Sequence, residues 1–137
     1  MTMKYYMKED GFSTDLNFGT LQVVTPLDEE YGLGYNPTQL LASSLAGCSS
    51  LTLNMVLKKR RKKYDDISVT AKVKTNPDER NKVEGVHVHF VIKSDDINEE
   101  QGKKLLDIVY KNCPMMRSVC DSIEITESVE IHPSVEA

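Results

Sequence analysis

Three cysteines in 137 residues is a sparse and odd count, unlike the dense, even set that staples small secreted scaffolds. The first twelve residues contain no apolar stretch long enough for a signal peptide, and Lys4, Lys8, Glu9 and Asp10 interrupt them. Both shortages point to a cytoplasmic location, where thiols start out reduced. There is no surplus of positive charge: 17 Lys and Arg against 21 Asp and Glu leave a net charge of −4, so the chain as a whole is no electrostatic nucleic-acid binder. Internal repeats and low-complexity segments are missing. So are the GxGxxG, Walker, HExxH, CxxC and GxSxG signatures, which leaves nucleotide, zinc and serine-nucleophile chemistry without a local motif. What remains is ordinary globular composition, 39% hydrophobic and 28% charged. That composition excludes a disordered tail, a collagen-like chain and a multi-span membrane protein, and it suits one domain over residues 1–137 with a single core.

Tyr5-Tyr6-Met7, Phe12 to Phe18 and Leu21 to Val24 read as three short strands, punctuated by Asp10-Gly11 and Gly19. A loop from Val24 to Asn36 follows, placed to wall a pocket. Asn36-Pro37-Thr38-Gln39 then starts the strongest helix: Asn36 as N-cap, Pro37 at the first position, Gln39 reaching back to the cap. From Leu40 to Leu57 no residue is charged, which approaches transmembrane length. Its serines, threonine, asparagine and glycine fit a helix buried on most sides inside protein better than one in lipid. The helix is expected to continue into Lys58–Lys63, whose cations complement its C-terminal dipole; with no interleaved aromatics they read as a solvated helix end and not a nucleic-acid patch. Ile67, Val69, Ala71 and Val73 alternate with polar residues as a half-buried strand, paired in a hairpin with Val86 to Ile92. Asp96 or Asn98 caps a helix to about Tyr110, Asn112-Cys113-Pro114 restarts a short one to about Cys120, and Ile123, Ile125, Val129 and Ile131 form a last strand whose pattern slips by a bulge or bend. The order predicts an α+β fold with a mostly antiparallel sheet around a long central helix.

The thiols are the candidates for chemistry. Cys48 lies mid-helix among Leu41, Ser44, Leu45, Thr52 and Met55; alone it reads as a small core residue, although Gly47 and the serines let a helix or ligand come close. Cys113 would open a helix, where free N–H groups and the dipole favour a thiolate, and it reads equally as a plain buried cysteine. Cys120 follows two turns later, about 10.5 Å along a continuous helix, too far to bridge Cys113, and reads as core. His87 and His89 share one strand face with no third ligand in sight, so an exposed face is expected there and not a metal site.

Asn36-Pro37-Thr38-Gln39-Leu40-Leu41-Ala42-Ser43-Ser44-Leu45-Ala46-Gly47-Cys48, followed 65 residues later by Asn112-Cys113-Pro114, resembles the OsmC/Ohr family of organic hydroperoxide-reducing proteins. Its members pair an N-P-x-x-L-L helix start and a small-residue helix bearing one cysteine with a second cysteine in a later C-P motif. The resemblance implies an intertwined homodimer in which Cys48 is the peroxidatic thiol and Cys113 the resolving one. The expected activity is thiol-dependent reduction of organic hydroperoxides, with an external dithiol as reductant and no metal or organic cofactor, no nucleic acid and no membrane as partner. Where members carry a glutamate in the N-P-x-x motif this chain has Thr38, and it has no arginine before Arg60; Arg117 is the candidate thiolate-stabilising cation. These two differences frame the alternative, an OsmC-like dimer that binds a small apolar or thiol-reactive ligand without turnover.

Overall fold

The long helix begins as its first residues dictate. The Asn36 amide donates to Gln39 Oε1 at 2.9 Å and the Gln39 amide to Asn36 Oδ1 at 2.8 Å, a reciprocal cap ahead of Pro37. The computed structural model describes residues 5–8, 11–14, 22–23 and 35–134, so most of the expected Val24–Asn36 loop and the end of the Phe12–Phe18 strand lie outside the described residues. The elements in order are β1 (Tyr5–Lys8), β2 (Gly11–Thr14), β3 (Gln22–Val23), α1 (Pro37–Lys59), β4 (Asp66–Asn76), β5 (Lys82–Lys93), α2 (Glu99–Asn112), α3 (Pro114–Val119) and β6 (Glu124–His132). The chain divides into two compact units at Leu41/Ala42. In the first, β1, β2 and β3 pair antiparallel in that order.

In the second unit β5 lies between β4 and β6, antiparallel to β4 and parallel to β6. The α+β class and the dominance of antiparallel pairing are as the sequence predicts, and the parallel β5–β6 pair is what the long α2–α3 crossover makes possible. Period-2 alternation sorts the two faces: Val86, Val88, Phe90 and Ile92 are all buried on one side of β5. Each such side chain contributes roughly 1.5–3 kcal/mol through burial. On the same side of the sheet α2 packs over β6, with Leu105, Leu106 and Val109 buried. Gly102 lets the helix come close, since a Cβ there would stand 3.1 Å from Ile131 Cδ1 and 3.3 Å from Val129 Cγ1. Of the two candidate caps Asn98 is the one used, in a capping box with Gln101; Asp96 instead accepts the Lys63 backbone N–H at 2.9 Å.

Three expectations are corrected. The long helix stops at Lys59 instead of running through Lys63: Arg61 adopts a left-handed conformation (φ 54°) and the Lys62 amide closes onto Leu57 O at 2.9 Å, the bonding of a Schellman end. β6 shows no slip. Its register with β5 is unbroken from Glu124 to His132, and Glu127 simply occupies the inward position between Ile125 and Val129; the irregularity lies in the β4–β5 pair, where Glu84 of β5 is the extra residue opposite the Lys74–Thr75 step. Finally, α1 is long and apolar enough by length and composition to cross a membrane, yet it is buried along one stripe and not on most sides. Leu45, Ser49, Leu53 and Leu57 recur every four residues and are fully buried, while Leu51 and Met55 are 68% and 57% exposed.

Candidate functional site

Local sequence delivers Cys113. The Cys113 amide closes the last turn of α2 on Val109 O at 2.8 Å, and Pro114, which has no N–H to offer, starts α3. A residue before proline is driven to extended backbone; Cys113 stands there at φ −80°, ψ 113°. Its side chain is fully buried at this break between two helices. Cys48, on α1, is half-buried. The hydroxyls around Cys48 are turned back onto their own helix. Ser49 and Ser50 donate to Ala46 O at 3.1 and 2.6 Å, and Thr52 donates to Cys48 O at 2.9 Å. The space a Cβ would take at Gly47 is empty.

The two thiols meet: Cys48 lies beside Cys113, near enough to act on its titration both as a hydrogen-bonding and as a charged neighbour. All three cysteines are free. The Cys113 thiol is pushed above its ordinary range, first by burial and then by Cys48. The Met116 and Met115 amides at the start of α3 pull the other way, without completing a side-chain cap. The helix-start argument for an acidic Cys113 is therefore corrected: the amides are there, and removal from water outweighs them.

Arg117 is exposed on α3 and is not among the groups acting on Cys113. Cys120 is half-buried at the end of α3, its Sγ donating to Arg117 O at 3.4 Å. A cavity of about 500 Å³ is lined by Thr52, Met55, Val56, Lys59, Arg60, Ile108, Asn112 and Pro114, chain neighbours of both thiols, with neither cysteine in its wall. Asn112 and Pro114 bracket Cys113, and Thr52 is one helical turn beyond Cys48. Its walls are mainly apolar, with two cations at the α1 end.

Two further polar groupings escaped the sequence reading. On the outer sheet face His87 contacts Thr126 Oγ1 at 2.6 Å and Ser128 Oγ at 2.8 Å, His89 contacts the same Ser128 at 2.5 Å, and Glu130 lies 3.5 Å from both His89 and His132. His87 and His89 are thus half-buried and hydrogen-bonded, through a parallel neighbour no local pattern could announce. Among the described residues no group of three or more His, Cys, Asp or Glu has the geometry to hold a metal. On the inner face, Glu127 borders a second cavity of about 520 Å³ with Lys103, Asp107 and Tyr110. Its Oε2 is buried without a partner. Burial and the Asp107 charge push its carboxyl up to about 7. A carboxylate at the apolar parity of β6, between Ile125 and Val129, is the signal that could have revealed it.

Residues 29–128 match the family model of OsmC-like protein. A relative from Staphylococcus epidermidis, described as organic hydroperoxide resistance protein-like 1, is 26% identical over 120 residues, covering 86% of this chain and 84% of the relative. An OsmC like protein from Mycoplasma pneumoniae superposes with a TM-score of 0.83 at 18% identity over 96% of both chains. An organic hydroperoxide resistance protein OsmC from Legionella pneumophila does so with a TM-score of 0.74 at 20% identity, covering 95% of this chain and 97% of the other. At these identities the structural likenesses carry the fold.

Proposed function

The chain belongs to the OsmC-like protein family, and from that premise we propose that it reduces organic hydroperoxides through Cys48 and Cys113. The observation that carries the proposal is the meeting of these two thiols, 65 residues apart in sequence, beside a largely apolar cavity. Cys48 is the attacker, because it is the thiol with access to the outside, whereas Cys113 has none. Its sulfur displaces alcohol from the hydroperoxide O–O bond and becomes a sulfenic acid. The Cys113 thiol, which holds its proton, condenses with that sulfenic acid; the S–O bond breaks, the disulfide forms and water leaves. An external dithiol returns both thiols, so the cycle suits a reducing compartment such as the cytoplasm. The working unit is a homodimer: exposed Leu51 and Met55 on α1 form an apolar stripe that a second copy would cover.

After one equivalent of tert-butyl hydroperoxide, mass spectrometry is expected to find a Cys48–Cys113 link and no Cys113–Cys120 link. Cys48→Ser abolishes turnover. Full turnover by that variant would sink the proposal. One observation favours a second reading, binding without turnover: Cys113 is raised, and Arg117 does not act on it. On that reading cumene hydroperoxide is not consumed even with excess dithiol, while an apolar probe still binds stoichiometrically.

A further inference from the structure

On the reading just proposed, the two co-reactants of the cycle differ in charge when they react. The hydroperoxide arrives as a neutral electrophile, whereas thiol–disulfide exchange is carried out by a thiolate, so the reductant must attack as an anion. The geometry points to Lys59 and Arg60 as a reception site for an anionic thiol reductant. Both line the cavity whose other walls include Asn112 and Pro114, on either side of Cys113, and Thr52, one turn beyond Cys48. They belong to six consecutive cations, Lys58 to Lys63, in a chain of net charge −4. Among the described residues none of the six side chains is in an ion pair. The nearby carboxylates leave the cavity alone: Asp96 is engaged by the Lys63 backbone, and Asp65 and Asp66 line a different hollow with Ser50 and Tyr64. The end of α1 keeps the cations at the rim, since the Arg61 turn stops the helix there. Fixed cations within a Debye length of about 8–10 Å raise the local concentration of an incoming anion and favour the ionised form of its thiol.

The exchange balances without another reagent. A donor thiolate attacks the Cys48–Cys113 bond, forming a mixed disulfide and releasing one cysteine thiolate, which takes up a proton. A second donor thiolate attacks the mixed disulfide, forming the donor disulfide and releasing the other cysteine. Two electrons and two protons pass from donor to protein.

The test uses protein oxidised with one equivalent of tert-butyl hydroperoxide and verified by mass spectrometry to carry the Cys48–Cys113 bond. Return of protein thiols is followed with 3-mercaptopropionate, whose carboxylate adds a second negative charge to the attacking thiolate, and with 3-mercaptopropionamide, whose thiolate carries one, at equal thiolate concentration. The ratio of the two rates cancels differences common to both donors. It is expected to fall about tenfold in Lys59→Glu/Arg60→Glu, about half as far on a logarithmic scale in the milder Lys59→Gln/Arg60→Gln, and likewise in the unsubstituted protein as salt is raised. Lys104→Glu, an exposed change on α2, matches the net-charge change of the glutamine pair and leaves the ratio unchanged. A reduced dithiol protein of acidic surface separates the two sources of such a donor: a salt-sensitive rate above that of mercaptopropionate at equal thiolate marks a protein, a slower one a small thiol. An unaltered ratio in the double variant overturns the inference. So does an equal loss in the oxidation step, which would put the two cations on the peroxide's path. Failure to form the Cys48–Cys113 bond is read before any donor is added and removes the peroxidase reading itself.

Discussion

Replacing Glu127 by glutamine is expected to stabilise the protein at neutral pH and to do nothing at acid pH. Glu127 sits on the inward face of β6 among Ile125, Val129 and the apolar side of α2, facing Asp107, with Lys103 and Tyr110 in the same cavity. Burial, and secondarily the Asp107 charge, move its carboxyl from 4.5 to about 7, so the folded chain holds this proton more tightly than the unfolded one. The sign follows: stability is complete below about pH 4.5 and is lost as pH rises through about 7. A shift of that size corresponds at most to about 3–4 kcal/mol at about 1.4 kcal/mol per unit, and because the side chain as a whole is only half-buried roughly half of it, about 2 kcal/mol, is expected to survive screening. Glu127→Gln keeps the shape and removes the titration. Urea unfolding followed by circular dichroism between about pH 4.5 and 8 gives the difference in stability between variant and parent, from which the titrations of groups not coupled to Glu127 cancel. The difference should be near zero at the acid end and grow to about 2 kcal/mol in favour of glutamine at the alkaline end. Asp107→Asn should shrink the rise without abolishing it, because burial is the larger cause. A difference flat across the whole range would refute the reasoning, as would a glutamine variant less stable than the parent at pH 8.

Asn98→Ala removes the capping box that starts α2 and should cost about 1 kcal/mol in thermal or urea unfolding, while leaving the proposed peroxide-dependent Cys48–Cys113 link able to form because Cys113 lies at the far end of that helix. Leu51→Glu places a charge on the exposed stripe of α1; sedimentation should find the parent at the mass of the proposed dimer and the variant at that of a monomer, whereas equal masses would remove the assembly from the proposal.

Much of this molecule is legible from neighbours in the chain. The Asn36–Gln39 spacing announces the longest helix, since a capping box needs only residues three apart, and Asn98 is one of two caps the sequence offers for the next. Alternation along Val86–Ile92 separates a buried face from an outer one because a strand repeats every two residues. The Asn112-Cys113-Pro114 break is equally local. Errors arose where a local pattern was incomplete. Glu127 looked like a slip in the last strand because a charged side chain interrupted an apolar series, although the backbone never leaves register. The basic run looked like more helix because nothing in six cations marks the left-handed Arg61 at which it turns.

The acidity of Cys113 shows most plainly where the sequence stops. Helix-start geometry, which the chain specifies over a few residues, argues for a thiolate; burial at the α2–α3 junction and the approach of Cys48 argue for a thiol, and they win because desolvating a charge outweighs two imperfectly aligned amides. The sequence by itself determined the elements, the family resemblance and which residues were chemically interesting. Tertiary structure alone decided that Cys48 reaches Cys113, that Glu127 faces Asp107 and that Lys59 and Arg60 rim a cavity beside the pair. Secondary structure is set by interactions a few residues apart, whereas proximity, dielectric and charge at a site are sums over groups that the chain brings together only by folding.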